Sequence, residues 1–468
     1  MSKVIFLTHP TIGHLNSLLT IALKMRENGH DIQFVVPGSN LADPRIKMFK
    51  VFYNGKIVPE IIRSRGIDIN LLFPPLPYIY LAALIPTKKM FEETITAIRF
   101  FSSGIKSFTR RISRLVKNFK PDIIVSDFFF YSTPLVAELN NLPYIMIYHS
   151  GLPFGGKDVP PFGSGLPVST QDTHPKRIFR EKEQELSKRL ITTVNRARKA
   201  FSLKPVNFDL LKMPYSPWLN LVATHEAIDI PRYNLGPNTV YVGPIFMNMV
   251  INRSSFPYDE LCEDKYKIYV SLGTVFNDKP KIYQDIIRAL QENPHYQIIV
   301  SAGGAYDKIS RKRYNSNVML FQSVPQAELL KRIDLVVSHG GNNTLNETLY
   351  HGKPVIVLPV GGEQHDNASR IEFHGLGYRI DMALLSADTL SNAVEGLRKD
   401  AELNQRLKTV SNQLMESDGA TASVSLIEWV MENKKPFTKK RELPLTITRD
   451  RLPPVSYTHL TMLTIYSV

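Results

Sequence analysis

The chain has 468 residues, 43% of them hydrophobic and 21% charged, with one cysteine and a formal net charge of +14. That length exceeds what one hydrophobic core usually supports, so two domains of roughly 200 residues each are expected. The single cysteine, Cys262, excludes an intrachain disulfide framework and a multi-cysteine metal site, and no apolar run reaches the roughly 18 residues needed to span a bilayer.

The expected compartment is a reducing cytoplasm. Residues 1–240 hold 31 Lys and Arg against 18 Asp and Glu, whereas residues 241–435 hold 21 against 23. A basic half attracts nucleic acid, anionic lipid or an acidic substrate, or simply keeps a protein soluble, and charge alone does not choose among these. No recognisable nucleic-acid motif accompanies it, so no nucleic-acid partner is expected.

In chain order, VIFLT is an expected strand beginning within three residues of Met1, which predicts no signal peptide. After the turn HPTIGH, apolar Leu15, Leu18, Leu19, Ala22, Leu23 and Met25 recur at helical spacing, Gly29 ends the helix, and DIQFVV is a second strand. This is a βαβ unit of a parallel sheet. Its two Gly-His pairs lie at opposite ends of one helix: His14 at the start, where strand ends face a ligand crevice, and His30 at the other end of the sheet, in a structural turn.

From Ile98 to Lys120, apolar residues recur in steps of three and four, with seven Lys and Arg and no acid among them. The spacing predicts one continuous amphipathic helix packed on the sheet, with a basic helix lying on anionic membrane as the alternative. Next, Pro121 stops this helix, IIVSD reads as a buried strand ending at Asp127, and STPLVAELNNLPYIMIYHS supplies helix and strand again. A Pro- and Gly-containing stretch (151–170) and a charged helical pattern (about 175–203) lead to YVGPIF.

The βα alternation then restarts, with strands KIYVSL, QIIVSA, NVMLF, DLVVSH and PVIVLP. The expected fold is α/β, with two facing Rossmann-like doubly wound domains and a cleft between them. The expected boundaries are an N-terminal domain over 1–242, a linker over 243–264, a C-terminal domain over 265–410, helices over 411–433 that return to the first domain, and a poorly ordered, non-native tail over 434–468.

The most specific stretch runs from Val324 to Arg370 and contains DLVVSHGGNNTLNE and PVIVLPVGGEQHDN. Gly340 and Gly341 allow close backbone approach, and Asn342, Asn343 and Thr344 are expected to cap a helix whose free N–H groups suit a diphosphate. His339 is placed to donate to a phosphate oxygen, Glu347 to accept from ribose hydroxyls, and Glu363 and Gln364 to meet sugar hydroxyls.

These motifs resemble the signature of the family 1 nucleotide-sugar glycosyltransferases, the GT-B-fold group that includes plant UDP-glycosyltransferases and bacterial macrolide and carotenoid glycosyltransferases. The similarity runs from PTIGHLNSLL through VSLGT to the HGG block, nearly the whole chain. It implies a donor site made of Gly273, Thr274, Ser323, Val324, Gln326, His339, Gly341, Asn342, Asn343, Thr344, Glu347, Glu363 and Gln364. Ser323 and Asn342 stand where the family often has tryptophan, and Glu363 where it commonly has aspartate.

The resemblance further implies that His14 is the general base and Asp127 its carboxylate partner; His149, which follows a strand, is a candidate for lining the acceptor pocket. The implied reaction is inverting transfer of a hexose from UDP-glucose or a related UDP-hexose to a hydroxyl of a lipophilic polyketide, terpenoid, carotenoid or phenol. No cofactor and no metal are expected. The alternatives are a peripheral membrane enzyme with a lipid acceptor, touching anionic lipid through the basic N-terminal domain, and a non-catalytic nucleotide-sugar-binding auxiliary protein.

Overall fold

The alternation of strand and helix becomes two parallel sheets in a computed structural model that describes residues 1–9, 12–37, 57–72, 98–99, 101–149, 151–153, 159–169, 171, 173–207, 215–232, 235–246, 256–273 and 278–439. Thr274 and the tail from 440 onward lie outside the described residues.

In the N-terminal half the strands are β1 (Lys3–Leu7), β2 (Asp31–Pro37), β3 (Asp68–Leu72), β4 (Ile123–Asp127), β5 (Tyr144–Tyr148), β6 (Leu219–Val222) and β7 (Thr239–Tyr241). They pair in the order β3-β2-β1-β4-β5-β6-β7, each neighbour parallel. Its helices are α1 (Ile12–Glu27), α2 (Ile57–Ser64), α3 (Ile105–Phe119), α4 (Thr133–Asn140) and α5 (His174–Lys199). Central strands such as β4 and β5 are buried at every position, as strands covered on both faces must be.

The second sheet comprises β8 (Tyr266–Ser271), β9 (Tyr296–Ser301), β10 (Val318–Phe321), β11 (Leu335–Ser338), β12 (Val355–Val357) and β13 (Gly377–Arg379), in the order β10-β9-β8-β11-β12-β13. Around it lie α6 (Pro280–Leu290), α7 (Tyr306–Ile309), α8 (Gln326–Leu329), α9 (Asn342–Tyr350), α10 (Gln364–Phe373), α11 (Ala387–Lys399) and α12 (Leu403–Glu416). The last helix is α13 (Gly419–Asn433). In each sheet the direction of winding reverses beside the first strand, between β1 and β4 and between β8 and β11. Such switch points open a crevice at the carboxyl ends of the strands.

Four sequence expectations need correction. The segment from Ile98 to Lys120 is interrupted at Gly104, and α3 starts only at Ile105. The ring of Phe108 folds back over the space that a side chain at Gly104 would occupy, so the break comes with close packing at a residue lacking Cβ. Strands β3, β6 and β13 were not expected; they are short or partly exposed and carry weak hydrophobic patterns.

The return to the first domain occurs later than 411. Leu403, Leu407, Val410 and Leu414 of α12 belong to the core of the second sheet, whereas Ala422, Val424, Ile427 and Val430 of α13 join the core of the first. Residues 434–439 are not loose. The Phe437 N–H donates to the Trp218 carbonyl at 3.0 Å, and its ring, 7% exposed, packs against Trp429.

Candidate active site at the facing switch points

Strands β1 and β4 are hydrogen-bonded neighbours, with Leu7 level with Ser126. The chain leaving β1 therefore starts α1 beside the residue that ends β4. His14, in the first turn of α1, places Nδ1 2.5 Å from Oδ2 of Asp127. Asp127 is 0% exposed and its Oδ1 accepts the Phe129 N–H at 2.8 Å, whereas the His14 side chain keeps 20% exposure toward the cleft.

Burial opposes protonation of His14, but the charge of Asp127, the hydrogen bond to it and a smaller effect of Glu363 outweigh it and raise its pKa above the ordinary value. Burial likewise opposes ionisation of Asp127, yet the neighbouring histidines hold its carboxyl well below the usual range. A cleft-facing imidazole backed by a buried carboxylate can take a proton from an attacking hydroxyl and keep the resulting charge stabilised.

His149, just past β5, lies with its ring 4.0 Å from that of His14 and its Nε2 3.9 Å from Asp127 Oδ2. Burial and the positive charge of His14 push its pKa down to about 3, so it is neutral. His9 is held neutral by burial too, at about 4, and its ring packs between Phe101 and Phe130. Phe129 stacks on Phe101 and faces His14, giving the cleft wall beside the imidazole an aromatic lining. His30 contacts Glu428 of α13 at 3.0 Å, the structural position expected for it.

Opposite, β11 delivers His339, Gly340 and Gly341 to the start of α9. The His339 ring occupies the space where side chains at Gly273 and Gly341 would stand, which is why both positions lack one. Burial lowers the His339 pKa to about 4, against a hydrogen bond to the Ser271 carbonyl, and the neutral ring has a single N–H, so it can serve an anion as a donor only by giving up that bond. The N-cap of α9 is Gly341, with no side-chain cap.

Asn342, Asn343 and Thr344 therefore do not cap the helix, contrary to expectation. Among the described residues no side-chain cap closes the start of α9 at Gly341, the condition for receiving a diphosphate. The amide of Asn342 instead donates to the His149 carbonyl at 2.6 Å, bridging the two halves. Asn343 is half-buried at the cleft and Thr344 is buried.

Gln326, at the start of α8, donates to Glu347 Oε2 at 2.7 Å, and its carbonyl accepts from the Tyr269 hydroxyl at 3.1 Å. Burial raises the Glu347 pKa. Ser323 is exposed and Val324 buried. Phe321, two residues before Ser323, packs on Phe256 with ring centroids 5.0 Å apart. Glu363 is half-buried near enough to affect His14. The side-chain oxygen of Gln364 accepts the Val360 and Gly361 N–H groups at 2.8 and 3.1 Å and so braces its own loop.

Sequence reasoning missed the residues that join the halves. Asp366 accepts the N–H groups of Gly163 and Gly165 at 2.6 and 2.9 Å, and Arg370 pairs with Asp229 at 2.9 Å. Asp366 and Arg370 stand one helical turn apart after GGEQ, a signal that they share a face, but nothing in the sequence pointed to partners across the cleft.

Residues 200–435 match the family model described as UDP-glucoronosyl and UDP-glucosyl transferase. The NDP-glycosyltransferase YjiC of Bacillus subtilis (strain 168) is 26% identical over 428 residues, 90% of this chain and 96% of that protein. Among solved structures, the calicheamicin glycosyltransferase CalG4 has a TM-score of 0.72 at 16% identity, with coverage of 93% of this chain and 100% of that one. The spinosyn rhamnosyltransferase SpnG complexed with thymidine diphosphate has a TM-score of 0.64 at 13% identity, with coverage of 91% and 100%. The two facing parallel-sheet domains have the GT-B architecture of these structures. With half of its length matched by the family model, the chain belongs to the UDP-glucoronosyl and UDP-glucosyl transferase family and is a glycosyltransferase.

Proposed function

We propose that this glycosyltransferase moves a hexose from UDP-glucose or a related UDP-hexose to a hydroxyl of a lipophilic small molecule of the polyketide, terpenoid, carotenoid or phenol type. The observation that carries the reading is the 2.5 Å contact between cleft-facing His14 and buried Asp127, opposite a helix whose N-terminus has no side-chain cap. In this reading His14 removes the acceptor proton as the oxygen attacks the anomeric carbon, with inversion, and Asp127 stabilises the imidazolium. The N–H groups at the start of α9, and His339 once its N–H leaves the Ser271 carbonyl, receive the departing diphosphate, without a metal in the reaction. Gln326, Glu347 and Tyr269 form the nucleoside end of the donor site.

The aromatic wall of Phe101 and Phe129 beside His14 supports a lipophilic acceptor. Mass spectrometry of products from a panel of hydroxylated acceptors, with UDP-glucose, UDP-galactose, UDP-N-acetylglucosamine and dTDP-sugars in competition, tests the whole assignment. Preference for a dTDP-sugar would overturn the donor, and activity confined to hydrophilic acceptors would overturn the acceptor class. His14→Ala should abolish transfer while preserving nucleotide binding; unchanged turnover refutes the base.

A second reading, a lipid acceptor met at an anionic membrane surface in the cytoplasm, is favoured by the exposed positions Lys106, Arg110, Arg114 and Lys117 along one side of α3. Among the described residues no helix is long and apolar enough to cross a membrane. Failure to co-sediment with phosphatidylserine vesicles would remove this reading.

A further inference from the structure

We propose that His14, Asp127 and His149 together form a binding site for a borderline-soft divalent cation such as Zn²⁺, and that occupancy switches transfer off. One ligand atom from each residue lies within 4.8 Å of the others. Asp127 Oδ2 stands 2.5 Å from His14 Nδ1 and 3.9 Å from His149 Nε2. Zinc bonds of about 2.0–2.2 Å in tetrahedral geometry place ligand atoms roughly 3.3 Å apart, between those two separations. Opening one contact and closing the other by less than about 1 Å would therefore seat the ion.

The second observation is the state of His149. Its side chain is 3% exposed, and neither ring nitrogen has a hydrogen-bond partner among the described residues. A buried imidazole normally satisfies at least one of its nitrogens, and one aimed at a carboxylate and a second imidazole has its lone pair available to a metal.

The surroundings already hold this ligand set in place. The Phe129 N–H fixes the other oxygen of Asp127 at 2.8 Å, and Asn342 holds the His149 main chain through its carbonyl at 2.6 Å. Such outer contacts orient metal ligands. The ion would enter beside His14, the one partly exposed member, leaving a fourth position for water on the cleft side.

Two imidazoles and one carboxylate suit Zn²⁺, Co²⁺ or Ni²⁺ and do not suit Mg²⁺ or Ca²⁺, which take oxygen donors. Coordination through His14 Nδ1 would replace its hydrogen bond to Asp127 and remove the base. That inhibitory consequence rests on the proposed role of His14, whereas the binding does not.

The test uses the full chain without an affinity tag. Co²⁺ absorption and Zn²⁺ calorimetry should show one site, and His149→Ala and His149→Asn should each weaken it at least about 10-fold. Unchanged melting temperature and nucleotide affinity would certify that the variants are folded. Absence of a one-to-one site, equal affinity in both folded variants, or equally tight Mg²⁺ binding would overturn the site. Zn²⁺ should also suppress wild-type turnover at the concentration that fills the site. His149-dependent binding that leaves turnover unchanged would keep the site but overturn both the switch and the base assignment.

Discussion

Replacing Asp127 by Asn keeps the shape of the side chain at the end of β4 and removes its charge. At the observed 2.5 Å, the attraction between a carboxylate and the imidazolium formed during transfer is about 7 kcal/mol at an effective dielectric of about 20. The asparagine dipole recovers part of this, leaving a loss of about 3–5 kcal/mol, or 10²–10⁴-fold in rate. The pH profile distinguishes this loss from general damage. A base must be neutral to act, so kcat/KM rises with pH through the His14 pKa, which Asp127 raises above its ordinary value.

In Asp127→Asn the burial penalty on the imidazolium is no longer opposed by that charge, so the acid limb should move to lower pH while the plateau falls. Stability follows the same sign. The contribution from the raised His14 pKa is complete below the unfolded value of about 6.5 and disappears as pH rises through the folded value. Asp127, depressed in the folded state, contributes above its unfolded pKa and loses that contribution only as pH falls through the folded one. The deficit in unfolding free energy should therefore be greater near about pH 6 than near about pH 9. Initial rates across pH, paired with urea melts, make the test. An acid limb that stays in place or moves upward would refute the coupling of His14 to Asp127.

Asn342→Ala removes the cross-cleft bond to the His149 carbonyl and should lower kcat about 10-fold, as loss of about 1.4 kcal/mol would. Nucleoside diphosphate affinity, measured by calorimetry, should change little; a large loss of affinity with kcat intact would instead make Asn342 a donor ligand. Arg370→Ala leaves Asp229, 1% exposed, without its cross-domain partner and should cost about 3–5 kcal/mol in denaturant unfolding. A deficit below about 1 kcal/mol would show the pair to be dispensable. A chain ending at Lys439 should keep full activity, whereas one ending at Asn433 loses the buried Phe437 ring and should be about 1.5–3 kcal/mol less stable by urea titration. Equal stability of the two would refute the packing assigned to Phe437.

The features legible in the amino-acid sequence are those built from contiguous residues. Strand, glycine turn and helix start follow one another in SHGGNNTLNE, so an anion-binding end of α9 can be read without knowing what packs around it. The alternation of short apolar runs with helical patterns likewise announces parallel sheets, and Gly29 and His30 separate from Gly13 and His14 by their places at the two ends of α1.

What only the tertiary structure decided is the partner each side chain takes, because that depends on where two distant segments are delivered. His14 and Asp127 are 113 positions apart and meet because the crossover places β4 beside β1. Asn342 reads locally as a cap, yet it finds a better-placed acceptor in the His149 carbonyl, 193 positions away. Gln364 reads as a sugar ligand, yet two main-chain N–H groups of its own loop claim its oxygen. That neither His149 nitrogen has a hydrogen-bond partner among the described residues has no trace in the sequence at all, since such a property exists only once the side chains around it have been placed.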